Sequence, residues 1–145
     1  MKNQKFTVFF ALAFLLMVIN VTSALATDRP VNWDVLSENL VHALKSDNSG
    51  LQQSAMRLII QYADHVHVDA AIFNLMRLYR QNDDSKVRQL ALVTLYKIGN
   101  TYAMDFVKRN LKYETDQKVI KLSNAILNDY NRLASTESSE AIVAR

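Results

Sequence analysis

The stretch that decides the fold is residues 84–99, which read DSKVRQLALVTLYKIG. Four apolar residues recur in it at steps of four, four and three: Val87, Ala91, Leu95 and Ile98. That spacing puts all four on one face of an α-helix. Asp84 stands where a side chain can cap the first turn, and Gly99 supplies the left-handed residue that commonly ends a helix. The stretch therefore predicts an amphipathic helix with a defined start, a buried face and a stop.

The same spacing occurs twice more in the chain. The earlier copy is Leu51, Ala55, Ile59 and Tyr62. The later copy is Val119, Ser123, Leu127 and Tyr130. The copies begin 36 residues before and 32 residues after Val87, which fits a repeat of two helices and two turns. With two glycines, one proline and no alternating pattern of β-branched residues, the chain is predicted to be all-α, with six helices in three antiparallel pairs.

The central copy resembles the second helix of a HEAT-like repeat of the bilin-lyase type. The pattern of that helix is Asp, two spacers, Val-Arg, two spacers, Ala, three spacers, Leu, two spacers and Ile-Gly. The matching residues are Asp84, Val87, Arg88, Ala91, Leu95, Ile98 and Gly99. The resemblance implies a right-handed α-solenoid over residues 27–133 that serves as a binding scaffold. It also implies that an Asp and an Arg pair between neighbouring repeats, for which Arg88 has Asp47 or Asp116 as partners.

The two ends of the chain differ from this central domain. Lys2 and Lys5 precede an apolar run over residues 8–19, and Ala24-Leu25-Ala26 follows it. This order is typical of a secretory signal peptide over residues 1–26. The competing interpretation is an uncleaved membrane anchor, for which the run is short because a membrane span needs about 20 apolar residues. We therefore expect an exported protein, periplasmic or secreted, that begins at Thr27 and has no membrane anchor after cleavage. Residues 134–145 are rich in small polar residues and predict a disordered C-terminal tail.

The residue types exclude several classes of chemistry. The chain has no cysteine, so it has no disulfide framework, no Cys-ligated zinc site, no cysteine nucleophile and no lipidated N-terminal cysteine. It also lacks a Ser-His-Asp set, a glycine-rich phosphate loop and a paired-carboxylate motif. We expect no cofactor, no catalytic residue and no enzyme activity. A lyase-like enzyme or an enzyme partner is an alternative that only the bilin-lyase resemblance suggests.

The charge is unevenly distributed. The net charge of +3 includes Lys2 and Lys5, so the chain from Thr27 carries +1, which does not indicate a nucleic-acid partner. Residues 27–76 have a balance of −3, whereas residues 77–121 have a balance of +5. Such a dipolar molecule can orient a charged partner. The competing interpretation is that these charges belong to solvated helix faces. We expect a partner protein of acidic character, and we expect the chain to be a monomer.

The resemblance also implies where that partner binds, because the second helices of HEAT-like pairs line the concave surface. The residues predicted to contact a partner on this basis are Gln52, Gln53, Arg57, Lys86, Arg88, Gln89, Lys118 and Lys121. Tyr96 is predicted to be an aromatic anchor among them.

A second alternative function is metal binding or delivery. His65 and His67 lie between Asp64 and Asp69, and imidazoles with carboxylates can ligate zinc or copper. The pair offers two ligands, so the others would have to come from elsewhere, and His42 is the one further histidine. The competing interpretation is that Asp69 caps the next helix and that both histidines lie at the surface.

Overall fold

The computed structural model describes the backbone of residues 30–143 and the side chains of residues 30–136. Within that range the predicted all-α class is confirmed, with six α-helices and no strand. The helices are α1 (Trp33–Lys45), α2 (Ser49–Gln61), α3 (Ile72–Gln81), α4 (Ser85–Ile98), α5 (Thr101–Asn110) and α6 (Gln117–Val143). Short 3-10 turns precede α3 and follow α5, at Asp69–Ala71 and Leu111–Tyr113. The predicted signal peptide, residues 1–26, lies outside the described residues.

Helix α4 begins and ends where its sequence predicts. The Asp84 carboxylate accepts a hydrogen bond from the amide of Lys86 at 2.8 Å, which satisfies one of the amides that a first turn leaves unpaired. Gly99 has a φ of 72°, and its amide donates to the carbonyl oxygens of Leu95 and Tyr96. Residues with a side chain rarely adopt a positive φ, so Gly99 fixes the end of α4.

Helix α4 is also the centre of the packing, in contact with α2, α3, α5 and α6. Its predicted inner face is confirmed, because Val87, Ala91 and Leu95 are buried and Ile98 is half-buried against the core. Helix α3 contacts both α1 and α5, while α1 also packs on α2 and α5 on α6. The second helix of each predicted pair is thus next to its first helix, and α4 contacts a helix of each of these predicted pairs.

The described part of the chain has one continuous hydrophobic core. Its buried hydrophobic residues all lie between Leu40 and Ile126. A chain that begins at Thr27 therefore keeps this described core complete. Among residues 30–143, no helix combines the length and the hydropathy that crossing a bilayer requires.

The predicted inner face of α2 is wrong at its first position. Leu51 is 48% exposed, whereas its neighbour Gln52 is buried. The buried side of α2 consists of Gln52, Ala55, Met56 and Ile59, so the burial begins one residue later than the apolar pattern predicts. Gln52 tolerates burial because its Nε2 donates to the carbonyl oxygen of Ser46 at 2.6 Å.

Helix α6 is longer than the sequence predicts. The predicted disordered tail starts at residue 134, but the helical backbone continues to Val143. No glycine or proline occurs after Ala134, and small polar residues lower helix propensity without ending a helix. The Thr136 hydroxyl also donates to the Arg132 carbonyl oxygen at 3.0 Å, within the helix.

Candidate functional site

The residues predicted to contact a partner lie on α2, α4 and α6, and their exposure divides them into three groups. Four are exposed cations: Arg57, Lys86, Lys118 and Lys121. Four are half-buried: Gln53, Arg88, Gln89 and Tyr96. Gln52 is buried. By exposure, the four cations remain candidates for contact with a partner, whereas the buried Gln52 does not.

The exposed cations form a surface that we call the second-helix face: Arg57 of α2, Lys86 and Lys97 of α4, and Lys118 and Lys121 of α6. No Asp or Glu occurs in α2, in α4 or in residues 117–128 of α6. Among residues 30–136, none of these five cations forms a salt bridge. Sequence reasoning missed Lys97, although it lies about three helical turns after Lys86 and so shares its side of α4. Five unpaired cations on neighbouring helices are suited to an anionic partner.

The acids that begin α4 and α6, close in sequence to Lys86 and Lys118, accept hydrogen bonds from backbone amides. Asp84 caps α4, and the Asp116 carboxylate accepts from the amides of Lys118 at 2.8 Å and Val119 at 3.2 Å. Hydrogen bonds from the Val119 and Lys118 amides lower the pKa of Asp116 below its ordinary value. These two carboxylates are therefore engaged at the starts of α4 and α6 and do not pair with the lysines that follow them.

Arg88 does not serve as a free cation on this face. Its guanidinium donates to the Glu114 carboxylate, from Nε to Oε2 at 3.1 Å and from Nη2 to Oε1 at 3.0 Å. Its Nη1 donates to the carbonyl oxygens of Asn82 at 2.7 Å and Asp83 at 3.2 Å. The side chains of Arg88 and Glu114 are 13% and 10% exposed, so the pair is largely removed from water. The predicted pairing of Arg88 with Asp47 or Asp116 is wrong, because Glu114 in the turn before α6 offers both carboxylate oxygens in bidentate geometry.

Glu114 is held in its ionised form by this arrangement. Burial alone would raise the pKa of Glu114, but hydrogen bonds from the Asp116 amide, the Arg88 guanidinium and the Thr115 amide lower it below its ordinary value. Both amides donate to Oε1 at 2.9 Å. Arg88 and Glu114 therefore lock the α3–α4 turn to the turn before α6, which is a structural role.

The two glutamines of α2 are also used within the chain. Gln52 makes the bond to the Ser46 carbonyl oxygen described above. The Gln53 amide donates from Nε2 to the Ser49 hydroxyl at 3.2 Å, on the surface of the same helix. Gln53 can exchange that exposed bond for one with a partner, whereas Gln52 cannot without leaving the Ser46 carbonyl oxygen unpaired.

Tyr96 joins α4 to α6. Its hydroxyl donates to Oδ2 of Asp129, and Oδ1 of the same carboxylate accepts from Arg132. The bond to Asp129 raises the pKa of Tyr96, and the bonds from Tyr96 and Arg132 lower the pKa of Asp129. The half-buried Tyr96 ring is thus held in one orientation, as an aromatic anchor requires.

The Tyr96 ring lines an open groove of about 660 Å³ at the C-terminal ends of α2 and α4, which we call the Tyr96 groove. Its apolar and aromatic wall is made by Ile60, Tyr96, Tyr130 and Leu133. Lys97 and Asp64 supply charges at the same groove. Lys97 belongs to the second-helix face as well, so the groove is continuous with the cationic surface.

The histidine pair follows α2 and lies against α1. The His65 ring stacks on Trp33, with ring centroids 4.5 Å apart and an angle of 17° between the planes. The His67 amide donates to the Ser37 hydroxyl at 2.9 Å, and both histidines are exposed. Within residues 30–136, no group of three or more His, Asp or Glu side chains lies in an arrangement that could hold a metal ion. The expected Asp69 cap is wrong, because no side chain caps the turn that Asp69 begins or the helix after it.

Neither a family model, nor a curated protein, nor a solved structure matches this chain. The resemblance to HEAT-like repeats therefore rests on residues 84–99 and on the repeated helical spacing. The candidate site rests on its own geometry, namely the second-helix face and the Tyr96 groove.

Proposed function

We propose that the chain is a right-handed solenoid of three HEAT-like helix pairs. It acts as a monomeric, non-catalytic scaffold, and it binds an acidic protein outside the cytoplasm. The pairs are α1–α2, α3–α4 and α5–α6. The contacts of α4 with both α2 and α6, and of α3 with both α1 and α5, are those expected of stacked pairs. Export is part of the proposal and follows from the signal-peptide pattern of residues 1–26.

The observation that carries the function is the charge of the second-helix face. Arg57, Lys86, Lys97, Lys118 and Lys121 are exposed and unpaired within the described residues, on helix segments without acids. A surface of one sign attracts a partner of the opposite sign and speeds its association. An acidic protein segment is the partner that this surface fits.

The Tyr96 groove supplies the aromatic and apolar contacts that bind the partner at short range. Affinity in protein interfaces is concentrated in a few aromatic or apolar anchors, and charged rims add specificity and association rate. Tyr96 is fixed by Asp129, and Leu133 and Ile60 line the same groove. We infer that an apolar side chain of the acidic segment enters this groove while its carboxylates contact the lysines beside it.

The test compares two charge reversals of equal size on different faces. The chain from Thr27 is used as bait for proteins of the extracytoplasmic fraction of its own cells. A Lys86→Glu, Lys118→Glu variant and an Arg77→Glu, Arg109→Glu control are used as bait in parallel. All four residues are exposed, so circular dichroism should show unchanged helicity. The captured proteins are identified by mass spectrometry, and binding is repeated at rising salt.

The proposal predicts one acidic protein that is retained by the parent and the control, is lost by the Lys86→Glu, Lys118→Glu variant, and is weakened by salt. Equal capture by all three chains would overturn the assignment of the face. Capture of a basic protein would overturn the charge argument.

A further inference from the structure

A second surface of the molecule exposes aromatic rings. Phe73 on α3 is 68% exposed and Tyr102 on α5 is 53% exposed. Their ring centroids are 6.0 Å apart, so the two rings form one patch across neighbouring helices. A pair of large exposed rings on one patch marks an interaction surface more often than scattered apolar residues do.

Exposed arginines continue from these rings along the same sides of both helices. Arg77 and Arg80 follow Phe73 by four and seven residues, and Arg109 follows Tyr102 by seven, so each stays on the side of its aromatic residue. Within the described residues none of the three arginines forms a salt bridge. We call this surface the first-helix face: Phe73, Arg77 and Arg80 of α3 and Tyr102, Asp105 and Arg109 of α5.

The far end of the face has the same composition. Tyr113 is 68% exposed, and Nζ of Lys112 lies 4.8 Å from the centre of its ring. Arg80 and Tyr113 line one small cavity, of about 190 Å³, together with Glu114, whose carboxylate is paired with Arg88. The ends of the two rows therefore lie beside each other. Asp105 is the one acid within α3 and α5, so the first-helix face is cationic, and the exposed Tyr113 ring lies beyond its far end.

We propose that the first-helix face binds the surface of an anionic phospholipid bilayer. Arginines pair with the phosphate groups of lipid headgroups, and tyrosine rings lie at the depth of those headgroups. The Phe73 ring carries no polar group. It is therefore stabilised by burial in the apolar interior of the bilayer and forms no hydrogen bond with a polar partner. Binding of this kind is peripheral and needs no spanning helix, in agreement with the helices of residues 30–143.

The geometry favours lipid over single-stranded nucleic acid. Bases stack on flat aromatic surfaces, and two neighbouring rings serve successive bases best when they present open parallel faces. The planes of Phe73 and Tyr102 are inclined at 59° to each other. The two rings therefore do not form one flat surface on which bases could stack, and their inclined arrangement is suited to insertion between lipid headgroups.

The test is co-sedimentation of the chain from Thr27 with vesicles. One set contains phosphatidylcholine mixed with phosphatidylglycerol, and the other contains phosphatidylcholine alone. The variants are Phe73→Ser and Arg77→Glu, Arg109→Glu, and the control is Lys86→Glu, Lys118→Glu, which changes the charge equally on the second-helix face. Inorganic phosphate is added as a competitor, and a single-stranded oligonucleotide is tested separately.

We expect binding to the anionic vesicles and not to the neutral ones. Each basic residue near an anionic bilayer strengthens binding by about fivefold, so Arg77→Glu, Arg109→Glu should weaken it by about 25-fold or more. The control should keep most of the binding, and Phe73→Ser should weaken it while leaving helicity unchanged.

Three results would overturn the proposal. The first is no binding to anionic vesicles, and the second is equal loss in the Lys86→Glu, Lys118→Glu control, which would indicate net charge alone. The third is competition by millimolar phosphate or binding of the oligonucleotide in place of the vesicles. Since vesicles contain no protein partner, the outcome is independent of the acidic-protein test.

Discussion

The guanidinium of Arg88 and the carboxylate of Glu114 form a bidentate ion pair that joins the start of α4 to the turn before α6. Arg88 also donates to two carbonyl oxygens of the α3–α4 turn, and Glu114 accepts from two amides of its own turn. Arg88, which the sequence predicts to contact a partner, is therefore part of the framework that positions the second-helix face.

Replacing Arg88 should destabilise the fold. Arg88→Ala leaves the largely buried Glu114 carboxylate without its cation and two turn carbonyls without a donor, so we expect a loss of about 3 kcal/mol. Urea denaturation followed by circular dichroism measures it. Lys86→Ala, two residues away and exposed, is the matched control and should change stability by less than about 0.5 kcal/mol. Similar losses for both variants would contradict the structural role of Arg88.

Acid should weaken folding through Glu114. Because its pKa is lower in the folded chain than in the unfolded chain, its stabilising effect is fully present above the ordinary glutamate value, about pH 4.3, and is lost as the pH falls through the lowered value. We expect the free energy of unfolding to decrease below about pH 4.3. The decrease should be shallower in Glu114→Gln, which has no carboxylate to titrate. Parallel curves for the parent and Glu114→Gln would show that other carboxylates, such as Asp116 and Asp129, account for the acid sensitivity.

A buried hydroxyl pair connects α3 to α6. The hydroxyls of Tyr79 and Ser123 lie 3.3 Å apart, both residues are buried, and burial raises the pKa of Tyr79. Tyr79→Phe and Ser123→Ala should each cost about 1 kcal/mol, because each leaves one buried hydroxyl without a partner. The double variant removes both hydroxyls and should lose less than the sum of the two. Strict additivity in urea denaturation would show that the two groups do not interact.

The core of α4 should tolerate little change. Leu95 is fully buried, and Leu95→Ala removes packed methyl groups and leaves a cavity, at a cost of about 3 kcal/mol. The control is Leu133→Ala, since Leu133 is 47% exposed at the Tyr96 groove. We expect a clear drop in melting temperature for the first variant and a small one for the second. Equal drops would contradict the central position of α4.

Local patterns predict the parts of the fold that depend on neighbours in sequence. The Asp84 cap, the left-handed Gly99 and the buried Val87, Ala91 and Leu95 all follow from spacing within a single helix. The six helices and the all-α class follow from repetition of that spacing.

Contacts between distant segments could not be predicted in this way. Glu114 stands in a turn outside the repeating pattern, so nothing in the sequence selects it over Asp47 or Asp116 as the partner of Arg88. The burial of Gln52 in place of Leu51 depends on the rotation of α2 against its neighbours. The exposed rings of Phe73 and Tyr102 have an apolar signature that resembles core residues, and their position on the surface requires the packed helices.

The most direct test of the acidic-protein proposal is site-specific crosslinking in living cells. A photoreactive amino acid replaces Lys121 on the second-helix face, or Lys108 on α5 as the control, in the full chain. The proposal predicts a single adduct with an acidic protein outside the cytoplasm from position 121 and none from position 108. The same adduct from both positions, or an adduct from position 108 alone, would contradict binding on the second-helix face.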